Sequence, residues 1–388
     1  MANLKEFDNT YIANTYARFP LTIVQGKGAV AYDENGKKYI DLGAGIAVNS
    51  FGYADEVWQE AVIAQIKTLQ HTSNLYYTEP CVKLAKMLCE RTGMSRVFFS
   101  NSGAEANECA IKAARRYSFL KYGEGRHTII TLKNSFHGRT ITTLAATGQD
   151  SFHTEFGPFT EGFVYATVGD IAELHKLVSE NSCAAIMIET IQGEGGVNEL
   201  PAEYIAEIVK IGQEKDILII VDEVQTGNGR TGALYSFMHY GFVPDIVSTA
   251  KGLAGGLPLG ATMLGEKVKD TLTPGTHGST FGGNPVCCAG ALSVLSRLDD
   301  TFLADVVKKS DYIRKELTGA KGVIGITGRG LMLGISCVRP VKEVIADCME
   351  NGVLVLSAKT KVRLLPPLSI SFDELTEAVA VLKEALAK

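Results

Sequence analysis

Lys251 and Asp222 are the two residues whose types and positions most directly suggest chemistry. Lys251 closes the mostly apolar run from Asp245 to Ala250 and is followed by the glycine-rich stretch Gly252 to Gly256. A lysine at a strand end can act as an amine nucleophile, and open α/β sheets bind ligands outside the carboxyl ends of their strands. A second run, Asp216 to Val221, ends in Asp222 and Glu223, so an acid and an amine meet at one sheet edge. That combination suggests a pyridoxal phosphate enzyme, which needs a lysine for the Schiff base and a carboxylate against the pyridine nitrogen. Taken singly, Lys251 also reads as a surface lysine behind a buried strand, and Asp222 as a strand-end turn residue.

Further motifs stand beside this pair. The run Val97 to Asn107 reads as a strand followed by a helix start, with Ser102 and Glu105 at the Ser-x-x-Glu spacing of a capping box. Free N–H groups at that terminus favour a phosphate, and Gly103 allows its close approach; the same spacing also makes a plain helix cap. Phe136, His137 and Arg139 follow the strand Thr128 to Leu132. Phe136 can stack on a flat ring and Arg139 can grip a carboxylate, while His137 reads as structural or as a neighbour of the ring. The loop Glu189 to Gly196 carries two acids, of which Glu194 can neutralise an active-site arginine reversibly. The loop Thr276 to Pro285 is dense in hydroxyls and glycines, which suits phosphate or carboxylate contacts.

The elements that must position these groups alternate in type. A hairpin turns at Asp33 to Gly36, a helix runs from about Asp55 to Leu69, and another starts at Ala104. Strands are expected at Arg96–Phe99, Thr128–Leu132, Ala184–Glu189 and Ile217–Val221, with a helix at Ala202–Glu214. This order predicts an α/β fold with a mainly parallel doubly wound sheet. After Pro285 the pattern changes to helices at Val286–Leu298 and Phe302–Leu317, short strands at Ile324–Ile326, Leu331–Ser336 and Lys361–Leu365, and a closing helix at Phe372–Ala387. A large cofactor domain over 51–285 and a smaller α+β domain built from 1–50 and 286–388 are expected.

Composition excludes several classes of function. The 388 residues are 46% hydrophobic and 21% charged, with a net charge of -5 and both signs interspersed, which argues against a nucleic-acid surface and for small-molecule partners. Met1 to Pro20 lack the apolar core of a signal peptide, and no run reaches membrane-spanning length. Eight cysteines show neither Cys-x-x-Cys nor metal-ligand spacing, so free thiols in a reducing cytoplasm are expected and no metal.

In order along the chain stand Asn101 to Asn107, Phe136 to Thr140, Glu189 to Gly196, Val221 to Gly227, Ala250 to Leu253 and His277 to Pro285. With these motifs the chain resembles the class III pyridoxal phosphate aminotransferases over nearly its full length. Tyr16 to Leu21, Gly45 to Asn49 and Arg363 to Pro367 are similar to the acetylornithine aminotransferases within that class. The resemblance implies fold type I, with Lys251 holding the cofactor, Asp222 pairing with the pyridine nitrogen, Phe136 stacking on the ring and Gln225 beside its hydroxyl. Ser102, Gly103 and Ala104 would meet the phosphate, Glu223 and Val224 would adjoin the cofactor, and Thr280 would reach it from the neighbouring subunit of a homodimer. Arg139, Tyr16 and Ser279 would hold the carboxylate end of N2-acetyl-L-ornithine. Arg363 would take the α-carboxylate of 2-oxoglutarate or glutamate, and Glu194 would pair with Arg363 when the other substrate is bound.

The implied reaction is a ping-pong transfer of the ω-amino group to 2-oxoglutarate, giving N-acetyl-L-glutamate 5-semialdehyde and glutamate. Ornithine, succinylornithine or succinyl-diaminopimelate as amine donor, and an aminomutase of the same fold, are the alternatives. Asn49 to Glu56 departs from the family pattern, which has Leu-Gly-His and a nearby His-Pro there, and altered local packing rather than lost chemistry is expected.

Overall fold

The computed structural model describes residues 4–388, so the first three residues of the stretch 1–50 lie outside the described residues. Its centre is a seven-stranded sheet built from β1 (Arg96–Ser100), β2 (Thr128–Leu132), β3 (Phe163–Ala166), β4 (Cys183–Ile188), β5 (Leu218–Asp222), β6 (Ile246–Thr249) and β7 (Gly260–Leu264). The spatial order is β1-β7-β6-β5-β4-β2-β3. Only β7 runs antiparallel, pairing with β1 on one side and β6 on the other. The mainly parallel, doubly wound sheet expected from the sequence is therefore present. Every residue of β4, β5 and β6 is buried, as strands covered on both faces require.

Register places the two key positions together. Asp222 on β5 pairs with Ser248 on β6, and Lys251 follows three residues later at the same carboxyl edge. The helix α1 (Gly103–Tyr122) packs on β7 and β6 through Ala106, Ala110, Ala113 and Ala114, whose small side chains allow close approach. Thr262 Oγ1 anchors it by donating to the Ala106 carbonyl at 2.7 Å.

The hairpin at Asp33–Gly36 forms as expected, but Ile23–Lys27 extends it to three antiparallel strands and Val353–Leu354 joins parallel to Lys38–Asp41. A second four-stranded sheet, ordered Val323–Arg329, Met332–Cys337, Lys361–Leu364 and Leu356–Ala358, carries Arg363. The helix Pro285–Leu295 packs against the helices Glu56–Thr68 and Glu79–Thr92. Among the elements that go beyond the sequence expectation are the helices Glu79–Thr92, Ile141–Ala146, Ile171–Glu180 and Val341–Glu350, and the strands β3 and β7. The two strands are only four and five residues long, too short for periodicity to tell them from loop.

The departing segment is wired into the first sheet. Tyr53 exchanges backbone hydrogen bonds with Gly28 at 2.8 and 2.9 Å. Its ring lies over Gly26, where a Cβ would stand 2.7 Å from Tyr53 Cδ2, and its hydroxyl donates to buried Asp41 Oδ2 at 2.7 Å. Among the described residues no helix is long and apolar enough to cross a membrane.

Candidate active site

A cavity of about 470 Å³ opens at the carboxyl edge of the sheet. Ser102, Gly103 and Ala104 line one end, Phe136, Gly138 and Arg139 one wall, and Asp222, Val224, Gln225, Glu189, Glu194 and Lys251 the rest. Ten site residues expected from the sequence are thus brought to one cavity from the ends of five strands, β1, β2, β4, β5 and β6.

Lys251 is half-buried and sits at φ +46°, in the left-handed region that a lysine rarely adopts. Such backbone costs of order 1–3 kcal/mol and persists where its surroundings impose it. Burial pushes its amine below the usual lysine range, and Arg363 works in the same direction, outweighing the opposite pull of Glu194, Asp222 and Glu189.

Asp222 is held by three donors. Asn107 Nδ2 donates to Oδ2 at 2.7 Å and Val224 N donates to Oδ1 at 2.9 Å. His137 Nδ1 lies 2.8 Å from Oδ2. Burial alone would lower the His137 pKa, but the hydrogen bond and charge of Asp222 outweigh it and hold the imidazole raised. Nδ1 therefore donates to the carboxylate. The expectation that His137 is structural or a ring neighbour meets a specific geometry: it is buried and orients the acid. Asn107 carries no expectation from the sequence; lying at the fifth residue of α1, it points inward by helical periodicity, a signal readable only once α1 and the acid are known to face each other.

At the start of α1, Ser102 Oγ accepts from Glu105 N at 3.2 Å, but Glu105 reaches back to Asn101 N at 2.8 Å rather than to Ser102 N, so the reciprocal capping box is displaced by one residue. Gly103 is glycine for a packing reason: a Cβ there would stand 2.7 Å from Val224 Cγ1. The carboxylate of Glu189, also on the cavity wall, accepts from two backbone amides and is pushed up to about 7, first by burial, with His137 and the amides opposing and Asp222 adding.

Arg363 is buried just behind the cavity. Its Nη1 donates to Glu194 Oε1 at 2.6 Å and to Gln225 Oε1 at 3.3 Å, and Gln225 Nε2 donates to the same Glu194 oxygen at 3.2 Å. Burial would raise the Glu194 carboxyl, but Arg363 outweighs it and holds it low. Arg139 is exposed and lies over the rings of Phe152, at 4.1 Å, and Phe136, at 5.5 Å.

The other expected residues stand elsewhere. Glu223 points to the opposite face from Asp222, as alternation along an extended chain requires, and is spent on Thr226, Ser236 and the Phe237 amide. Ser279 is one contact away, accepting from Asn101 Nδ2 at 3.2 Å. Thr280 and Tyr16 are exposed and do not line the cavity.

The donor set fits a flat, phosphorylated pyridine: a depressed lysine amine, a carboxylate fixed by three donors, an aromatic wall and a helix N-terminus at one end. The sequence matches the family described as aminotransferase class-III over residues 11–386. The chain is a class-III aminotransferase. This aminotransferase is 51% identical to the acetylornithine aminotransferase of Haemophilus ducreyi, over 99% of this chain and 98% of that one. It is 46% identical to the acetylornithine aminotransferase of Caldanaerobacter subterraneus, over 98% of each. Its structure is similar to that of the N-acetylornithine aminotransferase of Stenotrophomonas maltophilia, with a TM-score of 0.85, 32% identity and 98% coverage of both chains. It is also similar to the ornithine aminotransferase of Toxoplasma gondii, whose active site holds pyridoxal phosphate at partial occupancy, with a TM-score of 0.93, 33% identity and coverage of 99% and 94%. This aminotransferase has the type I fold and works with pyridoxal phosphate.

Proposed function

We propose that this enzyme transfers the ω-amino group of N2-acetyl-L-ornithine to 2-oxoglutarate, giving N-acetyl-L-glutamate 5-semialdehyde and glutamate by ping-pong exchange. The observation that carries the reading is the ion pair between Arg363 and Glu194 at the cavity's edge. One site must take an amine whose carboxylate is remote and a dicarboxylate whose carboxylate is adjacent. An arginine that an acid can cover and uncover meets that need.

Lys251 would hold the cofactor, with Asp222 facing the pyridine nitrogen, Phe136 against the ring, Gln225 toward its hydroxyl and Ser102, Gly103 and Ala104 at the phosphate. The bound cofactor supplies an electron sink. Lys251, with its lowered pKa, has a larger neutral fraction than a free lysine and can carry a proton between substrate and cofactor. The donors of His137 and Asn107 keep Asp222 oriented. Arg139, with Tyr16 and Ser279, would receive the remote carboxylate. Arg363 would receive the α-carboxylate once Glu194 withdraws.

The relatives named acetylornithine aminotransferase, 40–51% identical over most of the chain, support this amine. The likeness to the Toxoplasma enzyme favours ornithine as the second reading. An aminomutase needs no dicarboxylate, and the Arg363–Glu194 pair counts against it. We further propose a homodimer in which exposed Thr280 completes the neighbouring site, and a cytoplasmic location, which the eight free thiols favour. The parallel pairing of Val353–Leu354 with Lys38–Asp41 supports a smaller domain built from 1–50 and 286–388 beside the large one over 51–285.

The test is a half-reaction. Adding N-acetylornithine without keto acid should bleach the visible band of the lysine-bound cofactor, and 2-oxoglutarate should restore it. Bleaching by free ornithine but not by acetylornithine would overturn the substrate while leaving the family intact.

A further inference from the structure

Glu189 stands one residue beyond β4, buried to 6% exposure on the cavity wall. Its two oxygens serve different loops: Oε2 accepts from Phe136 N at 2.9 Å, and Oε1 accepts from Gly193 N at 3.2 Å. Phe136 lies on the loop after β2, whereas Gly193 immediately precedes Glu194 on the loop after β4. These loops meet again where Gln192 Nε2 donates to the Lys133 carbonyl at 2.9 Å. Beyond Gly193 the chain runs through Glu194, Gly195 and Gly196, the last at φ +114°, so the near end of the Glu194 segment is the Gly193 amide.

From this geometry we infer that Glu189 is a positioning residue, its carboxylate clamping the loop of Phe136 to the loop of Glu194 and so holding Glu194 over Arg363. A carboxylate is the side chain suited to the task, because it offers two acceptor oxygens and no donor to two converging N–H groups. Burying it is costly unless it is hydrogen-bonded, and an apolar residue of the same size would leave both amides unpaired. The clamp and the closed Arg363–Glu194 pair occur together here, so loss of the clamp should shift the pair toward its open form. This rests on reading Arg363 as the dicarboxylate's partner.

The test uses Glu189→Gln in the cofactor-loaded enzyme. The amide has one acceptor oxygen and cannot serve both N–H groups, so exchange at Phe136 N or Gly193 N should accelerate about tenfold or more, with the Ile130 amide in β2 unchanged. With Arg363 uncovered more of the time, the KM for L-glutamate should fall about threefold while the KM for the ω-amine rises. General loosening would instead raise both. Glu189→Asp keeps the charge but is too short to reach both loops, and it should reproduce the effect should the Gln variant fold poorly. Unchanged protection at both amides, or a glutamate KM that is unchanged or raised, overturns the inference. The glutamate arm does not depend on which ω-amine is the substrate, so an error in that assignment leaves this test readable.

Discussion

Arg363 donates through a single nitrogen, Nη1, to both Glu194 and Gln225, and Gln225 in turn donates to the Glu194 oxygen that Arg363 uses. The three side chains form a closed triangle in which Glu194 is the only member with an appreciable exposed surface, 31% against 5% for Arg363. Glu194 is therefore the member free to leave. Arg363→Ala should slow the 2-oxoglutarate half-reaction about a hundredfold or more, since losing one partner of a buried, hydrogen-bonded charge pair on binding costs about 2–5 kcal/mol, and should slow the ω-amine half-reaction less than tenfold. Single-turnover absorbance changes with each substrate measure the two separately; equal losses would refute the division of labour.

Gly103 and Val224 make a second pair with a sharp test. Since a Cβ on Gly103 would stand 2.7 Å from Val224 Cγ1, Gly103→Ala must push Val224 or the start of α1 aside. Overpacking of this kind costs about 1–3 kcal/mol, and here it distorts the end of the cavity where a phosphate would sit. Gly103→Ala should weaken cofactor binding about tenfold or more, read as cofactor lost on dialysis, and Gly103→Ala with Val224→Ala should recover most of it. If the double variant binds no better than the single one, the steric account fails.

Tyr53 occupies the segment that departs from the family pattern, and its hydroxyl is one of three donors to the buried Asp41 carboxylate, beside the amides of Gly43 and Ala44. Burial raises Asp41 in spite of them. Tyr53→Phe should cost about 2 kcal/mol, the scale of a hydrogen bond to a charged group, seen in urea unfolding as a lower midpoint at constant slope. Turnover of the folded variant should stay within about twofold of wild type, since Tyr53 lies outside the cavity; a tenfold loss would mean the segment reaches the chemistry.

Asp216, the C-cap of the helix Ala202–Lys215 at φ +50°, accepts from Tyr117, Lys121 and Tyr122 and pairs with Lys267. Burial opposes ionisation, but Lys121, Tyr122 and Lys267 outweigh it and hold the carboxyl far below the ordinary range. A carboxyl depressed in the folded state contributes stability above its unfolded pKa, and that contribution is lost as pH falls through the folded value. Asp216→Asn, which tolerates the left-handed backbone, should be less stable than wild type by about 1 kcal/mol at pH 7 after allowance for solvent screening. The gap should persist down to about pH 4 and narrow from there toward pH 2. A gap that does not change with acid would assign the effect to packing instead of charge.

Much of the site is legible in the sequence because its residues stand where apolar runs stop. Lys251 after β6, Asp222 at the end of β5, Phe136 and Arg139 after β2 and Glu194 after β4 all follow from that rule, and all line one cavity. What is not legible is orientation. Asp222 and Glu223 are adjacent acids at one strand end, and only the pleat decides that the first faces the cavity and the second the core. Asn107 and His137 converge on the same oxygen from segments 30 residues apart, a meeting that no local spacing announces. The role of Gly103 is likewise hidden, because the neighbour that forbids a side chain is Val224, far along the chain. The strands β3 and β7 escape because they are short.

The pairing of Asp222 with Ser248 fixes the separation of the acid and the lysine by backbone hydrogen bonds that no side-chain exchange can alter. The groups that would distinguish one substrate from another, Arg139, Glu194 and Tyr16, sit instead on loops or exposed segments whose replacement leaves that ladder untouched. The scaffold thereby separates a fixed frame from adjustable recognition: an engineer seeking a different amine donor can rebuild the rim, and the backbone spacing of Asp222 and Lys251 travels with the sheet into the redesign.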